Sequence, residues 1–291
     1  MTDTTRMNDS TPDTTSGSMP EYGTFTQIDC VLEDGVLTLS LARPEKQNAM
    51  GIVMVEEIER ALDHIAVDLR VRVVILQGRG AHFCAGMDMR DFFAEGTHPP
   101  LHVAQARRKV DRLREGQLRR LPQPVVAAIR GNCLGAAITL VESCDIVLVA
   151  DDVAFGFPEI NFGFFFGGAI AKAAMALMPR SAAVYYGLTG EVFGAAEAVR
   201  FGIAMQCMPP ERLANEAMRV ARRLASKDPA ALALSKESIQ SVPETGWEFI
   251  GGQTAGKVAQ LHRMQSGPGA RESRVRDFLD KNFKPGHGDP P

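Results

Sequence analysis

The residues best suited to chemistry lie in two stretches: VVAAIRGNCLGAAITLVESC, from Val125 to Cys144, and FGFPEINFG, from Phe155 to Gly163. The first passes from β-branched and small apolar residues through a Gly-bearing turn into an apolar segment of helical length. It reads as a buried strand feeding a helix. The first turn of a helix has no internal acceptors for its N–H groups, so such a turn aims free donors at a pocket. The second stretch sets Glu159 between Pro158 and Ile160, in an otherwise apolar setting. A carboxylate held there is a candidate for proton transfer, and desolvation by its neighbours should raise its pKa. N–H donors beside one carboxylate suit a reaction next to an activated carbonyl, where charge builds on oxygen.

The surrounding pattern supplies elements to hold these groups. Ile28 to Leu32 and Val36 to Leu41 read as strands around the Glu33-Asp34-Gly35 turn. Arg43 to Asn48 is a loop, and Met50 to Asp68 has helical apolar spacing. Val73 to Leu76 is a continuous apolar run, as expected of a strand buried on both faces. Asp88 to Ala94 reads as a short helix capped by Asp88. Leu101 to Leu121 reads as one longer helix, stopped by Pro122 and Pro124 before the strand at Val125. Ile146 to Ala150 is a further strand, and beyond Ala169 helices dominate. Strands alternating with helices, followed by a helical tail, indicate an α/β architecture with a C-terminal helical region.

Composition narrows the function classes. The chain has 291 residues, 45% of them hydrophobic, and a formal net charge of -3. That suffices for one sizeable core and offers no global argument for nucleic acid or an acidic membrane surface. No apolar run reaches the roughly 18 residues of a spanning helix. Residues 1–21 are rich in Thr, Ser and Asp, lack an apolar signal region and read as a disordered tail. The five cysteines, Cys30, Cys84, Cys133, Cys144 and Cys207, are odd in number and form no C-x-x-C pair. Packed thiols in a reducing cytoplasm are the expectation. His98 and His102 have H-x-x-x-H spacing, but the two prolines between them argue against a metal site. His82 and Cys84 read as packed residues at a strand end.

Five blocks, in order, resemble the crotonase superfamily, also called the enoyl-CoA hydratase/isomerase family: ARPEKQNAM (Ala42–Met50), HFCAGMDM (His82–Met89), PVVAAIRGNCLGAA (Pro124–Ala137), FGFPEINFG, and LTGEVFGAAEAVRFGIA (Leu188–Ala204). The likeness spans Tyr22 to Gly286. AGMDM, PEINFG and DFLDKNFKPG (Asp277–Gly286) bring it nearest to the hydroxycinnamoyl-CoA (feruloyl-CoA) hydratase-lyase branch. The resemblance implies a crotonase (ClpP/crotonase-like) fold of repeated ββα units, with a core over 22–205 and a helical region over 206–291. It also implies that the Met87 and Ala136 N–H groups cradle a thioester oxygen, each donor lowering the barrier by about 2.7–4 kcal/mol. Glu159 then moves the proton. Lys46 and Ala49 in the early loop, Ala85, and Lys281 and Lys284 near the C-terminus fall where the coenzyme A moiety would bind. A homotrimer or dimer of trimers acting on an acyl-CoA thioester is implied, with no metal and no redox cofactor.

Three departures shape the expected reaction. Ala136 stands where relatives usually carry Gly, which is harmless if its backbone is helical. Thr139 replaces the second Glu of two-carboxylate hydratases; a hydroxyl orients water but is no base near neutral pH. That leaves one-carboxylate chemistry: isomerisation, slower hydration, or hydration followed by retro-aldol cleavage. Phe92 occupies one position where hydroxycinnamoyl lyases use a phenol-reading tyrosine, and Gln253 to Ala255 hold no tyrosine at the other. An apolar acyl pocket lined by Phe92, Phe162, Phe164, Phe165 and Phe166 is therefore expected.

The alternative of another class comes from Leu101 to Leu121, which carries seven Lys and Arg against Asp111 and Glu115. A weakly catalytic or non-catalytic homologue could use such a helix to hold RNA or an acidic protein. A solvated helix face, or positive potential beside coenzyme A, explains the same charges, so nucleic acid is not the expected partner.

Overall fold

Apolar runs that leave no polar face must be covered on both sides, and the central strands of this protein are. The computed structural model describes residues 19–94, 96–242, 245–265, 275–276 and 278–281. Its elements, in chain order, are β1 (Ile28–Glu33), β2 (Val36–Leu41), α1 (Ile52–Val67), β3 (Val73–Gly78), α2 (Met89–Phe93), α3 (Pro100–Arg112), β4 (Val125–Ile129), β5 (Asn132–Leu134), α4 (Ala137–Glu142), β6 (Ile146–Ala150) and β7 (Ala154–Gly156). There follow α5 (Gly168–Leu177), α6 (Arg180–Thr189), β8 (Val192–Phe193), α7 (Ala195–Phe201), β9 (Gln206–Met208), α8 (Pro210–Ala225), α9 (Pro229–Ser241) and α10 (Trp247–Met264).

A six-stranded sheet has the order β1-β2-β3-β4-β6-β9, and a three-stranded one the order β5-β7-β8. In the larger sheet only the β1–β2 hairpin is antiparallel. Alternate residues of its strands enter different cores. Val74, Leu76, Val125, Ala127 and Ile129 join the main core with α1, whereas Val73, Ile75, Val126 and Ala128 pack under Leu213, Ala217 and Ala221 of α8. The four-residue spacing of those three α8 residues is the apolar stripe of a helix lying on a sheet. One compact unit extends through Pro229 and so includes α8; a second begins at Ala230. Within the second, Lys257 of α10 pairs with Glu237 of α9 at 2.8 Å.

Two expectations need correcting. The helix from Leu101 to Leu121 is not continuous: α3 ends at Arg112, and Leu113–Gln117 form a π-turn in which Gly116 takes φ 147°. A left-handed glycine cannot continue a right-handed helix. The short strands β5, β7, β8 and β9 also escaped the periodicity reading, being too short to show a period.

The loop after β2 is built around Asn48, which is fully buried at φ 55°. Its Oδ1 accepts from the Arg43 N–H at 2.8 Å, and its Nδ2 donates to the carbonyls of Arg79 (2.9 Å) and His82 (2.7 Å). Asn48→Asp would aim a carboxylate at two carbonyl oxygens. A loss of about 3 kcal/mol or more in urea unfolding at neutral pH is expected. Because the buried carboxyl's folded pKa would be raised, the deficit should shrink as pH falls and the protonated group donates again. A deficit independent of pH would contradict this account.

Candidate active site

Two backbone segments and one carboxylate converge on a cavity of about 560 Å³. The first segment follows β3. Ala85 N–H donates to Gln47 C=O (2.9 Å), Met50 N–H to Gly86 C=O (2.8 Å), and Asp88 N–H to Met50 C=O (2.9 Å). This lacing ties residues 85–88 to the loop held by Asn48. Because extended backbone alternates, it turns the Met87 N–H away from that loop. Asp88 accepts from the N–H groups of Arg90 and Asp91, capping α2, and pairs with Arg43 at 3.1 Å. Asp91 in turn accepts the Ile52 N–H at 3.0 Å, fixing the start of α1.

The second segment follows β5. Gly135, at φ 52°, donates its N–H to Gly156 C=O at 2.9 Å. Ala136 follows at φ -59°, ψ -17°, as the cap residue of α4. Its conformation is helical, so alanine here costs nothing that the glycine of relatives would have saved. Among the described residues, no hydrogen bond to a backbone acceptor takes the N–H of Met87 or of Ala136.

Glycines let the parts touch. A Cβ on Gly86 would fall 2.8 Å from Leu134 O and 3.5 Å from Ala136 N, so the two segments meet across its bare Cα. A Cβ on Gly135 would fall 2.5 Å from Glu159 Oε1. The Glu159 carboxylate thus rests on the turn that carries the Ala136 N–H. Glu159 itself sits on a 3-10 turn, Pro158–Phe162, anchored by buried Phe157 before it and ended by Gly163 at φ 74°. Its Oε2 is shielded from solvent.

Of the residues singled out by sequence, Met87, Ala136, Glu159, Ala85, Phe92, Phe162, Phe164 and Phe165 line the cavity. Phe162 and Phe165 are largely exposed, at 62% and 82%. Phe166 is not among the lining residues. Its ring packs on Phe157 at 5.1 Å and against the bare Cα of Gly187, so it serves the core. Thr139 is buried off the cavity wall, and its hydroxyl donates to Ala136 C=O at 2.7 Å. Its hydroxyl proton is spent inside the helix, and the structure does not bring it to the cavity. Lys46 is exposed on the early loop, and Ala49 C=O accepts from Arg43 at 2.9 Å. Lys281 is exposed within the second unit, while Lys284 lies outside the described residues.

Sequence reading missed three cavity residues that matter: Phe93, Arg107 and Asp111. Phe93 packs at a tilt against Phe164, with ring centroids 4.9 Å apart, and Arg107 lies over the Phe93 ring at 5.3 Å while donating to Phe92 C=O at 2.7 Å. The four-residue spacing of Arg107 and Asp111 was the available signal, since it places both on one helix face. Other cations of the basic segment are engaged: Lys109 with Glu56, Arg112 with Glu59, and Arg119 with Glu142. Those pairs weaken the nucleic-acid alternative, because a phosphate would have to compete with carboxylates already in place.

The remaining candidates are structural. His82 Nδ1 accepts from Asn132 N–H at 3.0 Å. Burial pushes the Cys84 thiol up to about 12 and Cys133 well above its ordinary value, so neither is a nucleophile. His98 Nε2 lies 3.2 Å from Asp91, and its ring meets His102 edge-on. Among the described residues no cluster of three or more His, Cys, Asp or Glu is disposed to hold a metal.

Comparison with known proteins places the chain in a family. The family profile described as enoyl-CoA hydratase/isomerase matches residues 32–246. The chain is 30% identical to a hydroxycinnamoyl-CoA hydratase-lyase of Pseudomonas fluorescens, over 91% of this chain and 96% of that protein. It is 31% identical to a 1,2-epoxyphenylacetyl-CoA isomerase of Escherichia coli, over 72% of this chain and 80% of that one. Among solved structures, an enoyl-CoA hydratase of Mycobacterium smegmatis superposes with a TM-score of 0.79 at 28% identity, covering 88% of this chain and 97% of that one.

Proposed function

The chain belongs to the enoyl-CoA hydratase/isomerase family of acyl-CoA enzymes, and from that premise we propose that it hydrates or isomerises an enoyl-CoA with Glu159 as its single catalytic carboxylate. The observation that carries the reading is the contact between the Glu159 carboxylate and Gly135, beside two backbone N–H groups without backbone acceptors, in one largely apolar cavity.

The thioester oxygen would accept from the Met87 and Ala136 N–H groups. For hydration, the Glu159 carboxylate takes a proton from water as the water oxygen bonds to Cβ, and the C=C pair moves onto the thioester oxygen. The enolate collapses as the Glu159 carboxyl returns that proton to Cα, so one water is added. For isomerisation the same group removes a proton from one carbon of the allylic system and returns it to another. Preorganised donors hold the enolate charge at no reorganisation cost. The residues supply every proton and dipole these steps need, so no cofactor beyond the substrate's own coenzyme A is invoked. Lys46, Ala49, Ala85, Lys281 and Lys284 are assigned to that moiety. Exposed apolar side chains such as Leu188, Val192 and Met205 support assembly as a trimer or dimer of trimers, and five free thiols support a cytoplasmic setting.

A second reading is favoured by the identity to the hydratase-lyase along nearly its whole length. After hydration, the carboxylate would take the β-hydroxyl proton, the Cα–Cβ bond would break to release an aldehyde, and the acetyl-CoA enolate would be reprotonated. Phe92 has no hydroxyl to offer a phenol, which weighs toward the first reading. Product analysis by mass spectrometry in heavy water, over a panel of enoyl- and cinnamoyl-CoA thioesters, tests both. Added water without cleavage, or deuterium with a shifted double bond, is expected. Acetyl-CoA plus aldehyde would establish the lyase instead, and no conversion of any thioester would end the catalytic reading.

A further inference from the structure

Glu159 is carried by a short 3-10 turn, Pro158–Phe162, and so short an element takes its place from its flanks. Upstream, the buried ring of Phe157 packs on Phe166 and Phe193, with centroids 5.1 and 6.3 Å away. Downstream, Phe164 donates its N–H to Glu159 C=O at 3.0 Å and sets its ring 4.9 Å from that of Phe93. The upstream anchor is core. The downstream one meets solvent, with Phe93 and Phe164 exposed to 40% and 39%. A ring pair in contact with water buries less area and holds less firmly, so what covers Phe93 matters. The Arg107 guanidinium lies over that ring, 5.3 Å from its centroid, and donates to Phe92 C=O at 2.7 Å. A planar guanidinium can stack on a ring and hydrogen-bond in its own plane at once. The base beneath is fixed, because Asp91 of α2 accepts the Ile52 N–H at 3.0 Å and Asp88 pairs with Arg43 at 3.1 Å. A row of contacts therefore runs from α3 through α2 to the residue whose N–H is bonded to Glu159 C=O.

We infer that Arg107 is a positioning residue: through the rings of Phe93 and Phe164 it holds the turn that presents Glu159 to the cavity. The inference rests on reading Glu159 as the catalytic carboxylate. Without the guanidinium the ring pair parts more readily, and the bond from the Phe164 N–H to Glu159 C=O opens more often. Proton transfer needs Glu159 within hydrogen-bond reach of the reacting atoms, so a small displacement of its turn is felt in kcat.

The test compares Arg107→Leu, which keeps the apolar stem and removes the guanidinium, with Arg107→Lys, whose ammonium can meet the ring or the carbonyl but lacks the plane to do both. Two quantities are read: amide hydrogen exchange at the Phe164 N–H in the ligand-free protein, and kcat at saturating trans-2-hexenoyl-CoA. A cation–π contact and one hydrogen bond together bias an equilibrium by roughly tenfold, so exchange at Phe164 should quicken by about that factor in Arg107→Leu. On the same grounds kcat should fall by about three- to tenfold, with Arg107→Lys in between. Phe164→Leu should also lower kcat, and adding Arg107→Leu to it should cost nothing more, because the row of contacts is broken only once. Arg107 is exposed, so the urea unfolding midpoint should stay near the wild-type value. Unchanged exchange at Phe164 in Arg107→Leu, unchanged kcat, or losses that multiply in the double variant would overturn the inference. Exchange needs no turnover. If Glu159→Gln left turnover intact, the catalytic reading would fall while the exchange result stood; exchange that ignored Arg107→Leu would remove this inference and leave turnover standing.

Discussion

Glu159→Gln should lower turnover of enoyl-CoA thioesters by about 10²–10⁴-fold, the usual worth of a positioned acid–base group. The substitution is nearly isosteric, so the amide can occupy the same space against Gly135. The 3-10 turn that carries residue 159 is held by main-chain bonds, Gly163 N–H to Ile160 C=O at 3.1 Å and Phe164 N–H to Glu159 C=O at 3.0 Å. Neither depends on the side chain, so the unfolding midpoint should barely move. Binding of a saturated acyl-CoA should also be kept, because in the proposed mechanism the thioester oxygen accepts from the N–H groups of Met87 and Ala136 and not from residue 159. The expected signature is therefore lost kcat with little change in affinity. Wild-type turnover by the variant would sink the single-carboxylate mechanism. Thr139 offers no substitute, since its hydroxyl is turned into its own helix.

Gly86→Ala should be nearly as damaging, for a reason that has nothing to do with proton transfer. The new Cβ would stand 2.8 Å from Leu134 O, a backbone atom that cannot step aside without moving β5. The two segments bearing the proposed oxyanion donors would be pushed apart, and loss of one such donor costs about 10²–10³ in kcat. Gly86 also has φ 94°, so any side chain adds backbone strain of about 1–3 kcal/mol. Strain alone can be separated from the spreading of the site. Gly202 ends α7 at φ 86° and has nothing within 4 Å of its would-be Cβ. Gly202→Ala should lose stability in urea unfolding yet keep its activity, whereas Gly86→Ala should lose both. Equal activity in the two variants would mean that the spacing between the segments does not matter to catalysis.

The contrast between what was legible in the chain and what was not follows one physical line. Strands such as those beginning at Val73 and Val125 could be read because burial on both faces demands continuous apolar residues. Asp88 as a helix cap followed from local hydrogen bonding. Glu159 stood out as an acid in an apolar context, but such acids are usually paired, and it was the resemblance of its block to the family's catalytic position that singled it out.

Other features depended on directions in space. Phe164, Phe165 and Phe166 are chemically alike, yet the first two line the cavity while the third turns into the core on Gly187. The buried hinge of the early loop, Asn48, looks like any polar loop residue until its three partners from distant positions surround it. Asp111 reads as one more charge in a basic helix, and only the rotation of α3 brings it to the cavity with Arg107. Short-range propensity, patterning and motif spacing specify elements, their order and the residue types a reaction needs. Which side chain reaches a shared space is settled by long-range packing, because a helix turned by 100°, one residue's worth, exchanges the side chain that faces the site.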